Sequence, residues 1–272
     1  MSHLLFRSAY HLGDSVFAIH YLRNLLAQND ELICTLFINK KYNSELKYHI
    51  VGYEDRLKLA RWIDVAPAEK RFGIKAVELW HGSMPTPFSD KCKDVFNKNV
   101  INSNLYEFFE YVSDHIGLPF PFKDRDGVLL NNPSILENAH PDLPDEFDIL
   151  LVNSSALSGQ YRGHPKHFEN FISELKDKYS IIVTKAVDDQ NIPCTLDYGL
   201  NLMQIGNLST KAIYIVAVGT APIIPCMNIW SIDTVKKWAI LNNRSTFNYR
   251  DNMIRFKDIH KVIPSGFFDE SP

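Results

Sequence analysis

Ile213 to Val218 (IYIVAV) is an uncharged run of mostly β-branched and aromatic residues that stops at Gly219. A strand can carry such a run only when both of its faces are covered, which is the situation inside a parallel sheet flanked by helices. The run gives way to Gly219-Thr220-Ala221-Pro222: a residue without a side chain, a hydroxyl, a small residue and a proline suited to the first turn of a helix. In open α/β sheets ligands bind outside the carboxyl ends of the strands. A small-residue loop leading into a helix N-terminus favours anionic groups such as phosphate. The other reading of the same loop is a tight strand-to-helix turn with no ligand.

The N-terminal half has the same grammar. His3–Arg7 is a short apolar strand, Ser8–Asp14 a glycine-containing loop, and Val16, Phe17, Ile19, Leu22, Leu25 and Leu26 recur at helical spacing. Leu32–Ile38 is a second strand, and the β-α-β order predicts a parallel pair with a right-handed crossover. Lys40–Ala60 reads as a helix followed by an irregular piece. Ala76–Trp80 reads as a further strand ending in His81-Gly82, and Asn104–Ile116 as an amphipathic helix stopped at Gly117.

From 119 to 144 the composition turns to Pro, Asn, Asp and charged residues, which places a domain boundary near 131–146. The second half then restarts. Phe147–Val152 is a strand, Asn153–Gly163 a polar loop, and Phe168, Phe171, Ile172 and Leu175 are the inward face of a helix. Tyr179–Thr184 is a strand ending at Lys185, and Leu200–Lys211 a helix containing Gly206. The tail reads as a strand over Asn228–Ile232, a helix over Thr234–Leu241 and a closing helix over Asn252–Val262. The expected architecture is α/β, with two Rossmann-like lobes facing a cleft. The first lobe would be 1–135 and the second 146–272, with the last helix packing back on the first domain.

Composition narrows the function. With 29 basic against 32 acidic residues and no long basic block, nucleic acid is not an expected partner. The four cysteines are scattered without CxxC spacing, which argues against structural zinc or a disulfide framework and suits a reducing compartment. The N-terminus has too short an apolar run for a signal peptide, and no stretch of apolar residues is long enough to span a bilayer. A cytoplasmic location is expected, with peripheral attachment to a membrane left open. G-x-S-x-G, P-loop, H-E-x-x-H and G-x-G-x-x-G patterns are absent, and Asp124-Arg125-Asp126 lies in the boundary region. Neither a cofactor nor a metal is expected.

The candidate site residues cluster at strand ends. Asp14, after Gly13, is placed to act as a general base, or else to cap the helix beginning there. His11 and His81 end strands on the same edge, or lie in ordinary surface turns. Arg162, His164 and Lys166 gather cations at a helix start, where the macrodipole favours anions; a bound phosphate would reconcile the two, and a solvated basic turn is the alternative. Lys185 ends the next strand. Asn153 and Ser154 either contact a nucleotide or sugar hydroxyl or form a turn. Asn207 and Ser209 are polar positions near the Gly219–Ala221 loop in sequence, or helix caps. The four tryptophans read as core or domain-packing residues in preference to sugar platforms.

The stretch Arg7-Ser8-Ala9-Tyr10-His11-Leu12-Gly13-Asp14, leading into Ile19–Leu25, resembles the opening of the heptosyltransferase-like glycosyltransferases. The second half is similar as well, from its Phe168-bearing helix to strand-Gly219-Thr220-Ala221-Pro222. The resemblance implies the two-lobed GT-B fold and inverting transfer from a nucleotide-sugar donor to a glycan or other hydroxyl acceptor. It also implies Asp14 as base and Gly219, Thr220 and Ala221 as the cradle of the donor phosphates. The chain departs from the family in its late loop, where Asp-Ser-Gly-Pro and a subsequent histidine are replaced by Thr220-Ala221-Pro222-Ile223-Ile224. That departure keeps alive a non-catalytic sugar-phosphate or nucleotide-binding protein of the same fold, and a nucleotide-sugar epimerase or hydrolase could use the same two lobes.

Overall fold

A computed structural model describes residues 2–8, 10–80, 101–154, 166–241, 253–256 and 267–268, with the side chains of 101–104, 255 and 256 excepted. The chain divides into two compact units, Met1–Asn132 and Pro133–Pro272. The first contains β1 (Ser2–Ser8), α1 (Leu12–Ala27), β2 (Leu32–Ile38), β3 (Leu57–Arg61), α2 (Val65–Phe72), β4 (Val77–Glu78) and α3 (Ile101–Ile116). The second contains β5 (Phe147–Val152), α4 (Lys166–Leu175), β6 (Ile181–Val183), α5 (Leu202–Ser209), β7 (Ala212–Val218), α6 (Ile223–Cys226), β8 (Lys237–Leu241) and β9 (Met253–Phe256). Among the described residues no helix is long and apolar enough to cross a membrane.

Each unit is built on one wholly parallel sheet. The first has the order β3-β2-β1-β4 and the second β6-β5-β7-β8-β9. The uncharged run of the central strand is explained by its place: β7 lies between β5 and β8, with Leu151 opposite Val216 and Val218 opposite Leu241. One face of this sheet, formed by Ile149, Leu151, Val183, Tyr214, Val216 and Val218, packs on Phe168, Phe171 and Ile172 of α4 and on Phe267 and Phe268. The alternate residues Leu150, Val152, Ile182, Ile215 and Ala217 point the other way and are equally buried. The Tyr214 hydroxyl donates to the Phe268 carbonyl at 2.8 Å, tying the chain end to the middle of the sheet.

In the first unit α1 is buried nearly all round. Its Tyr21 stacks on Phe109 of α3 at 4.6 Å, and the Tyr21 hydroxyl pairs with Ser113 at 2.8 Å. Arg23, on the same helix, donates to the carbonyls of His49 and Val51 and to Oδ1 of Asn132, so one guanidinium ties three segments together. α3 stops at Gly117, whose φ of 69° is the left-handed conformation that glycine adopts without a Cβ penalty.

Several elements differ from the expectations drawn from sequence. β3 arises where an irregular piece was expected: it is an edge strand, and its alternation of Leu57 and Leu59 with charged Lys58 is short and half-exposed. Lys237–Leu241 is a strand, not the end of a helix, and its Trp238 is wholly buried. Short apolar runs do not distinguish a buried strand from a helix segment by periodicity. Met253–Phe256 is a strand where a closing helix was expected, because it completes the sheet beside β8. Ser231–Thr234 forms a helical turn where a strand was expected. Gly206 within α5 has a packing reason: a Cβ there would lie 3.0 Å from the Pro225 carbonyl oxygen, so the missing side chain lets α6 approach.

Two histidines of the first unit are buried in neutral form. Burial, with Arg23 adding to it against the Gly127 carbonyl, brings His20 down to about 4; burial and then Arg23 bring His49 to about 3. Their folded pKa values lie below the ordinary value near 6.5, so between pH 6.5 and about 4 the unfolded chain binds more protons than the native one. Stability is therefore full above pH 6.5 and falls as the solution is acidified, by about 1.4 kcal/mol per pH unit for each histidine. Urea unfolding at pH 7.0 and pH 5.5 should show this loss, and equal midpoints at the two values would contradict the buried neutral state.

Candidate functional site

The strand orders locate where each sheet opens. In the first unit the chain lays down β2 and β3 on one side of β1 and then returns to place β4 on the other, so the order reverses between β1 and β4. In the second unit β6 lies on one side of β5 and β7 on the other, so the reversal falls between β5 and β7. Loops leaving the carboxyl ends of such strand pairs diverge, and the crevice between them is where open α/β sheets hold ligands.

At the second of these points the structure brings together two candidate stretches far apart in sequence. Val152 is paired with Ala217, so Asn153-Ser154 and Gly219-Thr220-Ala221 emerge side by side. Lys185 comes after β6 on the other flank of β5, with its side chain exposed. Lys166 opens α4 and is exposed too. Arg162 and His164 lie outside the described residues, as does His81 of the first unit.

Hydrogen bonding alters the roles of several of these residues. Asn153 is buried and its amide is already engaged: Nδ2 donates to the Lys185 carbonyl and Oδ1 accepts from the Lys185 N–H, both at 2.8 Å. It fastens the end of β5 to the end of β6. Ser154 Oγ lies 3.1 Å from Thr184 Oγ1 and is part-exposed. In the late loop the Gly219 N–H donates to the Leu241 carbonyl and the Thr220 N–H to the Val218 carbonyl, so two of the three expected cradle donors are turned inward. α6, the next element, is a single turn.

Asn207 and Ser209 do not join this site, and neither caps a helix start. They lie in the last turn of α5, three to five residues before β7, and therefore at the amino end of that strand, opposite to the Gly219 loop. The start of α5 is capped instead by Asn201, which exchanges bonds with Gln204 in a capping box. Asn207 Nδ2 donates to the Leu136 carbonyl, and Ser209 Oγ donates to the Gly206 carbonyl at 2.6 Å. Buried Asn228, which the sequence did not single out, supports the same corner through Ser209, Pro225 and the N–H groups of Trp230 and Ser231.

In the first unit the helix begins earlier than expected. His11 is the residue before α1, extended and exposed, and its side chain makes no cap bond; Gly13 and Asp14 are the second and third helical residues. Asp14 is thus a first-turn acid favoured by the helix macrodipole rather than the cap. The first turn is tied to the strand by Ser15, whose Oγ donates to the carbonyl of Ser8 at 2.9 Å. Aromatic rings gather on this edge: Tyr10 lies 4.5 Å from Trp80, 6.4 Å from Trp62, and His11 is 6.5 Å from Trp80. Of the tryptophans only Trp238 is a core residue as expected, while Trp62 is 37% exposed and Trp80 and Trp230 are half-buried. Beside the rings Arg7 pairs with Glu78 at 3.0 Å; burial raises the Glu78 carboxyl above its ordinary range, with Arg7 opposing. Among the described residues no three His, Cys, Asp or Glu side chains gather as a metal site would.

The geometry of Asn153 has a measurable consequence. Asn153→Ala leaves both backbone groups of Lys185 without these partners and should lower stability by about 2 kcal/mol. A lowered urea midpoint is the expected reading. Loss of nucleotide binding at unchanged stability would return Asn153 to the ligand.

No protein-family model matches the chain, and no curated protein is similar to it in sequence. Solved structures are similar in fold. E. coli heptosyltransferase WaaC with ADP superposes with a TM-score of 0.56 at 10% identity, over 96% of this chain and 94% of that one. WaaC with ADP-2-deoxy-2-fluoro heptose gives 0.54 at 10% identity, over 94% and 93%. The iron-containing dodecameric glycosyltransferase TibC from enterotoxigenic E. coli H10407 gives 0.50 at 14% identity, over 93% and 63%. The two parallel sheets, the strand orders and this likeness over nearly the whole chain make the fold GT-B-like, the fold of the heptosyltransferases.

Proposed function

We propose that the protein is a nucleotide-sugar-dependent glycosyltransferase that works without a metal and inverts the anomeric centre. The observation that carries this reading is the pair of reversal points, one per sheet, in a fold shared with a heptosyltransferase solved with ADP and with an ADP-sugar analogue. The second unit takes the donor. Its phosphates lie against the Gly219–Ala221 loop and Ser154, with Lys185, Lys166 and Arg162 supplying positive charge to the leaving nucleotide diphosphate. With the Gly219 and Thr220 N–H groups turned inward, more of that charge falls to the side chains.

The first unit takes the acceptor. Asp14 removes the proton of the acceptor hydroxyl, whose oxygen attacks the anomeric carbon as the bond to the diphosphate breaks on the opposite side. Support for Asp14 is its place in the first turn of α1 at the carboxyl edge of β1, next in the chain to the reversal point. The protein acts in the cytoplasm on a glycan or glycoconjugate, with attachment to a membrane surface as a further element of this reading.

The test begins with thermal shift against UDP-, GDP-, ADP-, CMP- and dTDP-sugars and their free nucleotides. A ligand at ~100 times its dissociation constant stabilises the fold by about 2.7 kcal/mol, so one nucleotide class should stand out. Asp14→Asn should then abolish sugar transfer while leaving that shift in place. A nucleotide shift without transfer in the wild-type protein would favour a binding protein of the same fold. No shift in folded protein would remove the donor site from the Gly219 loop.

A further inference from the structure

The four strands of the first sheet share a feature that the reaction scheme above does not use. β1 ends at Ser8 and is followed by Tyr10, β2 ends at Ile38 and is followed by Tyr42, β3 ends at Arg61 and is followed by Trp62, and β4 ends at Glu78 and is followed by Trp80. Every strand thus delivers an aromatic ring to the same carboxyl edge. The Tyr10 ring centroid lies 4.5 Å from that of Trp80 and 6.4 Å from that of Trp62, and the Tyr42 hydroxyl donates to the Tyr10 backbone carbonyl at 3.4 Å. Tyr10 and Trp80 flank the reversal between β1 and β4.

This surface is not a finished core. Tyr10 is 52% exposed and Trp62 37%, whereas Trp238 in the other sheet is wholly buried. Charged groups border the rings in matched pairs. The Arg7 guanidinium lies 5.5 Å above Trp62 and pairs with Glu78, which also accepts the backbone N–H of Trp80 at 3.2 Å; Arg61 makes a two-bond pair with Asp64 at 2.9 and 3.0 Å. Lys41, over the Tyr42 ring at 4.8 Å, is the other cation that meets these rings among the described residues. A phosphate or a polyanion calls for several uncompensated cations, and this edge has its arginines neutralised. Aromatic faces edged by fixed, paired charges suit a different ligand. The C–H face of a sugar ring stacks on faces of this kind, while sugar hydroxyls bond to carboxylate and guanidinium groups.

We propose that Tyr10, Trp62 and Trp80, with Arg7 and Glu78, form the seat of a neutral pyranose unit of the acceptor glycan. This rests on the glycosyltransferase reading and adds the acceptor's chemistry to it. The seat holds the sugar by stacking and leaves the carboxyl edge of β1, where α1 begins, beside it.

Saturation-transfer NMR on the full chain tests the seat, with methyl glucoside, methyl galactoside, methyl mannoside, lactose and maltotriose at millimolar concentration as probes. Transfer to the C–H protons of at least one probe is expected. It should fall at least fivefold in Tyr10→Ala and Trp80→Ala and persist in Trp80→Phe. Tyr10→Ala removes a side chain half in water, so it guards against loss of signal by unfolding of the tryptophan variant. The nucleotide thermal shift is run alongside. A nucleotide shift with no transfer to any probe overturns the seat and leaves the transferase reading standing. Transfer to a probe with no nucleotide shift supports the seat and removes the transferase reading. Transfer that is unchanged in Tyr10→Ala and Trp80→Ala overturns the seat. A change of native mass in these variants with unaltered probe transfer also overturns it, by showing that a second copy of the chain covers the rings.

Discussion

The pairing of β5 with β7 is the constraint on which the second unit depends. The two strands run parallel with Val152 opposite Ala217, although some sixty residues of chain separate them. Parallel neighbours cannot be joined by a hairpin, so the connection must cross over and lay helices on the sheet. Those helices cover both faces and make an uncharged strand stable in water. The same crossover sends the loops after β5 and β7 apart at one edge. Burial of the faces and opening of the edge are thus two results of a single topology.

That topology also sorts the polar residues. A polar group that the layers bury must be satisfied by the protein itself, and Asn153, Ser209 and Asn228 are spent in this way, while Asn207 donates its Nδ2 and keeps a buried Oδ1 without a partner among the described residues. Past the strand ends the demand is met case by case: Asn153 is still buried and engaged, and other groups there reach water. Lys185 and Lys166 in the second unit, and His11, Tyr10 and Trp62 in the first, keep surface in water. Their exposure comes from position in the fold rather than from residue type.

The edge of the first unit shows how aromatic residues can be misread. A tryptophan in a sequence of ordinary hydrophobic content is most simply assigned to a core, and Trp238 obeys that rule because β8 is covered on both faces. Trp62 and Trp80 do not, since each stands just beyond a strand whose last residues are charged, Arg61 and Glu78. A charge closing a strand marks the end of the covered sheet, in water for Arg61 and part-buried in a pair with Arg7 for Glu78. That signal is present in the sequence, but it acquires meaning only once the strand is known to exist, and β3 was hidden by its alternating lysine.

By itself the sequence determined the repeating strand-loop-helix order, the central strand and the α1, α3 and α4 helices, because long apolar runs and helical periodicity depend on local spacing. It also marked the stretches that meet at the reversal of the second sheet. Only the tertiary structure decided that Lys237–Leu241 and Met253–Phe256 are strands, since a short apolar segment takes its state from the neighbour it pairs with. It alone decided that Asn153 clamps two strands, that Asn207 and Ser209 lie at the wrong end of β7, and that Asp14 stands inside its helix. These are matters of which groups come within hydrogen-bond reach across dozens of residues, and a hydrogen bond is set by distance in space, which spacing along the chain does not encode.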